Sequence, residues 1–153
     1  MFHLFYKVSF NKTAEDSYYF TLDIANAYQK EAQVNSWIRT FQFNATANKL
    51  MLIESYELEK CQKPFELHFV TALHDIDQSK KGKLILTENQ DKTSLLMQFD
   101  EQLFDVRLEQ HPTDDSKLFH AWGHHVTRVT LVSKITSGDK CLKGQFKTLF
   151  QMM

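Results

Sequence analysis

The sequence predicts an all-β protein: an antiparallel β-sandwich of roughly ten strands with at most one short helix. Three observations predict it. Apolar residues recur at every second position in many short stretches. Phe occurs 13 times while Gly occurs 4 times and Pro twice, a balance that favours pleated, half-buried strands over loops or linkers. Short polar connectors separate the alternating stretches at regular intervals. The chain has 153 residues, which fits one domain covering 1–153.

The alternation is clearest where Phe65, Leu67, Phe69 and Thr71 are interleaved with Glu66, His68 and Val70. Phe104, Val106 and Leu108 alternate in the same way with Asp105, Arg107 and Glu109. Leu50, Leu52, Tyr56 and Leu58 share one parity, and Glu54 interrupts it. Val129, Leu131 and Ile135 share a parity late in the chain. Successive strand side chains point to opposite faces, so each pattern defines a dry face and a wet face. Strands are expected at 5–10, 18–24, 36–43, 49–58, 64–72, 83–88, 93–99, 103–110, 125–135 and 143–150. The segment 44–48, Asn-Ala-Thr-Ala-Asn, reads as a hairpin loop; Asn89-Gln90-Asp91-Lys92 reads as another connector, and Ser137-Gly138-Asp139 precedes the last strand. Only 24–34, with Ala25, Ala27 and Ala32, is expected to hold a helix. Trp37, Phe41, Leu52, Leu67, Phe69, Val129 and Leu131 are expected in the core.

Charge narrows the function. Lys and Arg total 18 against 19 Asp and Glu, a formal net charge of -1. A nucleic-acid binder carries a basic excess or stripe, and this chain has neither. Lys80, Lys81 and Lys83 flank Gly82 and read as a solvated turn. No window approaches the roughly 20 apolar residues of a membrane-spanning helix, and Met1-Phe2-His3-Leu4-Phe5-Tyr6-Lys7 does not read as a signal peptide. Cys61 and Cys141 match no metal-ligand spacing and read as free thiols. No Gly-rich phosphate loop, HExxH or CxxC occurs, so no cofactor is indicated.

The richest chemistry is in His120-Ala121-Trp122-Gly123-His124-His125. Three imidazoles could bind a metal, but His124 and His125 are adjacent and would face opposite ways on a strand, leaving only His120 and His124 to converge. The plainer reading is a turn bearing surface histidines, with the Trp122 ring covering the end of the sandwich. Trp37 and Arg39 share one strand face. A Trp can stack on a sugar ring and an Arg can fork onto a carboxylate or sulfate; the plainer reading is a core Trp with Arg39 snorkelling outward. Trp37, Arg39, Trp122 and His124 are therefore the glycan-binding candidates. The pairs Asp75 and Asp77, and Asp114 and Asp115, read as solvated loops, and His74-Asp75 lacks a nucleophile beside it.

Tyr19-Phe20-Thr21-Leu22-Asp23-Ile24-Ala25-Asn26-Ala27-Tyr28, then Glu31-Ala32 and Ser36-Trp37-Ile38-Arg39-Thr40, resembles a segment of the heparinase II/III-like family. Trp122-Gly123-His124-His125-Val126-Thr127-Arg128-Val129-Thr130-Leu131 resembles that family's Trp-Gly-x-x-(Ile/Val)-x-Arg-(Ile/Val)-x-Leu stretch, and Lys143-Gly144-Gln145-Phe146 is similar to its closing strand. The likeness runs over about 7–150. These are polysaccharide lyases in which an α/α-toroid precedes β-sandwich domains. They abstract the C5 proton beside a uronate carboxylate and expel the 4-linked sugar. The resemblance covers only the C-terminal β region, and the family's Tyr and His acid/base groups sit mainly on the toroid. It therefore implies no catalytic and no metal residue here. Family members are typically secreted or periplasmic.

The leading expectation is a non-catalytic C-terminal sandwich module of such a lyase, which supports a separate or missing toroid or contacts acidic polysaccharide. The alternatives are a small metal-assisted enzyme using the 120–125 histidines, and a plain interaction domain whose sheet edge pairs with another chain.

Overall fold

The computed structural model describes residues 7–13, 16–61, 63–88, 93–135, 138 and 140–153. Among them lie eleven strands and one α-helix: β1 (Val8–Lys12), β2 (Ser17–Asp23), β3 (Val34–Asn44), β4 (Lys49–Leu58), β5 (Glu66–Thr71), β6 (Asp75–Asp77), β7 (Lys83–Thr87), β8 (Ser94–Gln98), β9 (Phe104–Pro112), α1 (Ser116–Trp122), β10 (His125–Ser133) and β11 (Leu142–Met152). They form the two antiparallel sheets of an all-β sandwich, as the alternation predicts. The large sheet runs β1-β2-β3-β4-β11-β8-β7-β6 and the small one β5-β10-β9.

The expected hairpin is present. β3 and β4 are antiparallel, with Trp37 opposite Tyr56 and Asn44 opposite Lys49. The turn closes because Asn44 Oδ1 accepts from the Ala47 amide at 2.7 Å and Asn48 adopts a left-handed φ of 48°, which Asn tolerates better than most residues. β11 lies between β4 and β8, with Phe146 opposite Glu54 and Phe150 opposite Met97. The final strand thus joins the meander β1 to β4 to the smaller meander β6 to β8.

Parity puts the apolar sides of both sheets face to face. Trp37, Tyr56, Leu84, Leu86, Met97 and Phe146 of the large sheet are buried against Leu67, Phe104, Val129 and Leu131 of the small one. Gly144 makes room for Tyr56, whose hydroxyl would strike any Cβ at that position. Leu52 is buried as expected. Phe41 and Phe69 are only partly buried, because they lie where the three-stranded layer runs out.

Several expectations need correction. The stretch 24–34 forms two 3-10 turns, Ala25–Ala27 and Lys30–Ala32, rather than a continuous helix. Gln33 ends the second in the left-handed region, and β3 begins at once. The α-helix lies instead at Ser116–Trp122, where a turn was expected. Asp115 caps it, its Oδ1 accepting from the Lys117 and Leu118 amides; it is an exposed loop residue as expected, with this further role. Asp75 and Asp77 belong to a strand, β6, which pairs with β7. The connector 89–92 lies outside the described residues, as do Ser137 and Asp139; Gly138 bridges to Cys61.

Candidate functional site

The sequence candidates fall in two places. The first is the β3–β4 pair. Trp37 and Arg39 do share the inner face of β3, and between them sits Glu54 from β4, 0% exposed. The Trp37 indole N–H donates to Glu54 Oε2 at 2.5 Å and the Arg39 Nε–H donates to Oε1 at 2.6 Å. Each carboxylate oxygen therefore has a charged or polar donor, which is what allows the acid to be buried. Burial pushes the Glu54 carboxyl up from its ordinary value, against the opposing pull of Arg39 and the Trp37 N–H. Tyr28, just after the first 3-10 turn, lays its ring 5.7 Å from that of Trp37. Burial raises its phenol too; Arg39 opposes that and Glu54 adds to it.

Trp37 is only 3% exposed. Tyr56, Phe65 and Phe146 pack around its ring at 5.5, 5.3 and 6.5 Å, so it offers no open face for a sugar. A cleft of about 380 Å³ opens at its edge, lined by Tyr28, Val34, Trp37, Leu58, Cys61 and Phe65. Its walls are mainly apolar, with Lys60 and Lys63 also lining it; Arg39, the cation the sequence offered beside Trp37, is committed to Glu54. Cys61 is buried and Cys141 exposed, and neither is in a disulfide.

The second place is α1 and the residues that follow it. Trp122 ends the helix and is 39% exposed, so its ring does not cap the sandwich. Gly123, at a φ of 79°, turns the chain into β10 and returns its amide to the Phe119 carbonyl. The Thr113 hydroxyl donates to the Gly123 carbonyl and the Thr113 amide to the His124 carbonyl, which tie the end of the helix back to the end of β9. Phe119 places its ring 5.9 Å from His120 and 4.7 Å from His124, so a phenyl ring lies against both imidazoles. His124 is exposed.

His125 turns the other way, as strand alternation requires. It stacks on His74 with ring centroids 3.9 Å apart, and its Nε2 is buried without a hydrogen-bond partner among the described residues. Burial and the neighbouring His125 both lower the His74 pKa. His74 thus pairs with an imidazole, not with Asp75 as a base with its orienter. No group of three or more His, Cys, Asp or Glu that could hold a metal ion occurs among the described residues.

Glu54 and His74 are the participants that sequence reasoning did not assign. Glu54 had a signal: it is the one acid in an otherwise apolar parity, and a buried acid needs donors on the neighbouring strand. His74 had none, because its partner lies 51 residues away. What these geometries define is an antiparallel β-sandwich with a buried polar triad and an exposed aromatic–histidine helix end. No protein-family model matches the chain, and no curated protein matches its sequence.

Proposed function

We propose that this chain is a non-catalytic C-terminal β-sandwich module of a heparinase II/III-like polysaccharide lyase, bracing an α/α-toroid that carries the chemistry. The observation that supports it is the order and spacing of the resembling stretches. They fall on β2, β3, the α1–β10 corner and β11, so they span both layers of one sandwich. Their most distinctive residues have structural work within it: Trp37 and Arg39 hold Glu54, Gly123 turns the helix end and Gly144 accommodates Tyr56. Lyase chemistry needs a base, an acid and a carboxylate neutraliser held around one sugar, and neither described place assembles that set. Direct glycan contact, where it occurs, falls to the exposed Trp122 and His124, since Trp37 is enclosed.

The test is an elimination assay on the purified chain with heparin, heparan sulfate and alginate. The expected result is no formation of the ultraviolet-absorbing unsaturated uronate. A rise in absorbance that scales with protein and is lost in His124→Ala would replace the module with an enzyme. Titration with acidic oligosaccharides at low salt, followed by amide shifts, tests the contact; shifts at Trp122 and His124 are expected, and silence there leaves bracing alone.

A further inference from the structure

The small sheet does not cover the whole inner face of the large one. β9 lies over its β7–β8 side, where Phe104 and Val106 share a cleft with Leu84 and Phe99. β5 lies towards β3: Phe65, just before it, packs on Trp37, and Phe69 packs on Phe150 of β11. Beyond β5 the layer stops. The inner face continues through the Phe41–Phe43 end of β3 and through β2 and β1, where no strand of the small sheet lies above it among the described residues.

Register shows what is left bare. Phe10 pairs with Phe20, and Phe20 with Phe41. Val8, Tyr18 and Phe43 share that parity. This is the parity of Trp37, so these side chains stand on the same face as the core. Phe10 is 67% exposed, Val8 54%, Phe43 42% and Phe20 40%. Their rings form rows across the strands: Phe10 on Tyr18 at 6.3 Å, Tyr18 on Phe43 at 6.3 Å, Phe20 on Phe41 at 6.2 Å. The charge at its rim, Lys12, is paired with Asp16 and lies over the Tyr18 ring. A contiguous apolar area of this kind marks an interaction surface. It suits apolar side chains better than a sugar, whose hydroxyls would find few partners there.

The bordering strand has a free edge. The Ser133 amide donates to the Phe65 carbonyl, so the antiparallel ladder to β10 uses the backbone groups of residues 65, 67, 69 and 71. The amides and carbonyls of Glu66, His68 and Val70 point to the other side of β5, which pairs with no strand among the described residues. A strand added there would lie above β3, at the usual spacing of about 10 Å between packed sheets. Its inward side chains would meet Phe41, Phe43 and Phe20.

We propose that β5 and the aromatic strip together form a β-augmentation site for the edge strand of a partner sheet with large apolar side chains at alternate positions. The β5 edge supplies main-chain hydrogen bonds and the strip supplies the apolar floor. Further strands of the same partner sheet would cover the rest of β2 and β1, which one added strand cannot reach. The site holds whether or not the chain is a lyase module.

The probe is a synthetic peptide of about nine residues alternating Phe or Val with Thr or Lys, long enough to span β5. A control peptide of the same composition has its apolar residues grouped. In the full chain the alternating peptide is expected to protect the Glu66, His68 and Val70 amides from exchange and to shift the Phe20, Phe41 and Phe43 ring signals. Val70→Pro removes an outward amide without touching the β10 ladder, and Phe43→Gln removes part of the floor. Each is expected to weaken binding about tenfold or more. Glu66→Pro, which removes another outward amide, and Phe20→Gln serve where either does not fold. Absence of edge protection at millimolar peptide, equal binding of the grouped peptide, or binding indifferent to the edge and floor variants would overturn the proposal. Self-association of the free chain that protects the same amides would also overturn it, in favour of a second copy as the occupant.

Discussion

The two tryptophans of this chain sit in opposite circumstances. Trp37 is enclosed by rings, and its N–H is spent on a buried carboxylate. Trp122 stands at the end of a seven-residue helix and is 39% exposed. Both have charged or imidazole residues close in sequence, which is what makes each a glycan candidate when only the sequence is read. The difference lies in what crosses from the next strand. β4 sends Glu54 and Tyr56 against Trp37, whereas the Trp122 ring has no aromatic or hydrogen-bonding partner among the described residues. A tryptophan's role is set by its long-range neighbours more than by its local motif.

The largest expected effect separates the two directly. Trp37→Ala should cost about 3–5 kcal/mol in urea unfolding, in line with large-to-small aromatic changes in cores. Trp122→Ala should stay within about 0.5 kcal/mol, as for surface substitutions generally. Comparable losses at both sites would break the contrast.

Glu54 sharpens it next. Glu54→Ala should cost about 2–4 kcal/mol, because it orphans the Trp37 N–H and leaves Arg39 without its acceptor. Glu54→Gln keeps an acceptor for the indole and removes a charge that burial penalises, so it should cost less. The pH dependence has a definite sign. Burial raises the folded-state carboxyl above its ordinary 4.5. The advantage of the wild-type protein over Glu54→Gln is therefore greatest below that value and declines as pH rises through the raised one. An advantage that grows with pH would mean that Arg39 outweighs burial.

Fluorescence gives a milder test. In Trp122→Phe the remaining emission should be blue-shifted and resist iodide, whereas in Trp37→Phe it should be red-shifted and easily quenched. Equal quenching in the two variants would show that the rings are equally accessible. The smallest effect belongs to the His74–His125 stack. Burial and the neighbouring imidazole depress the His74 pKa below 6.5, so its contribution is complete above that pH and is lost as pH falls through it. His74 is mostly exposed, so His125→Phe should flatten the acid limb of the stability curve only slightly.

Much of the fold was legible because the alternation is strong. The expected strands at 36–43 and 49–58 match β3 and β4 closely, and 44–48 is their turn. β6 escaped notice because three residues carry too little periodicity. The helix was misplaced because Ala content pointed to 24–34, whereas the local signal that decided the matter was a cap: Asp115 ahead of Leu118 and Phe119. At the candidate sites, parity correctly put Trp37 and Arg39 on one face. It could not reveal Glu54 between them, or the His74–His125 pair, because register across strands is not written in any single strand.

The position of β11 has a consequence for how the protein is made. β1 to β4 can assemble as a local meander, and so can β6 to β8, but the strand that welds them follows both in the chain. Neither half can bury its inner face in the finished arrangement before Leu142–Met152 arrives. Until then β4 and β8 both present naked borders, the state in which nascent sheets aggregate. Pairing across such sequence distance is slow to nucleate. Loss of β11 would therefore not shorten the sheet by one strand but divide it in two.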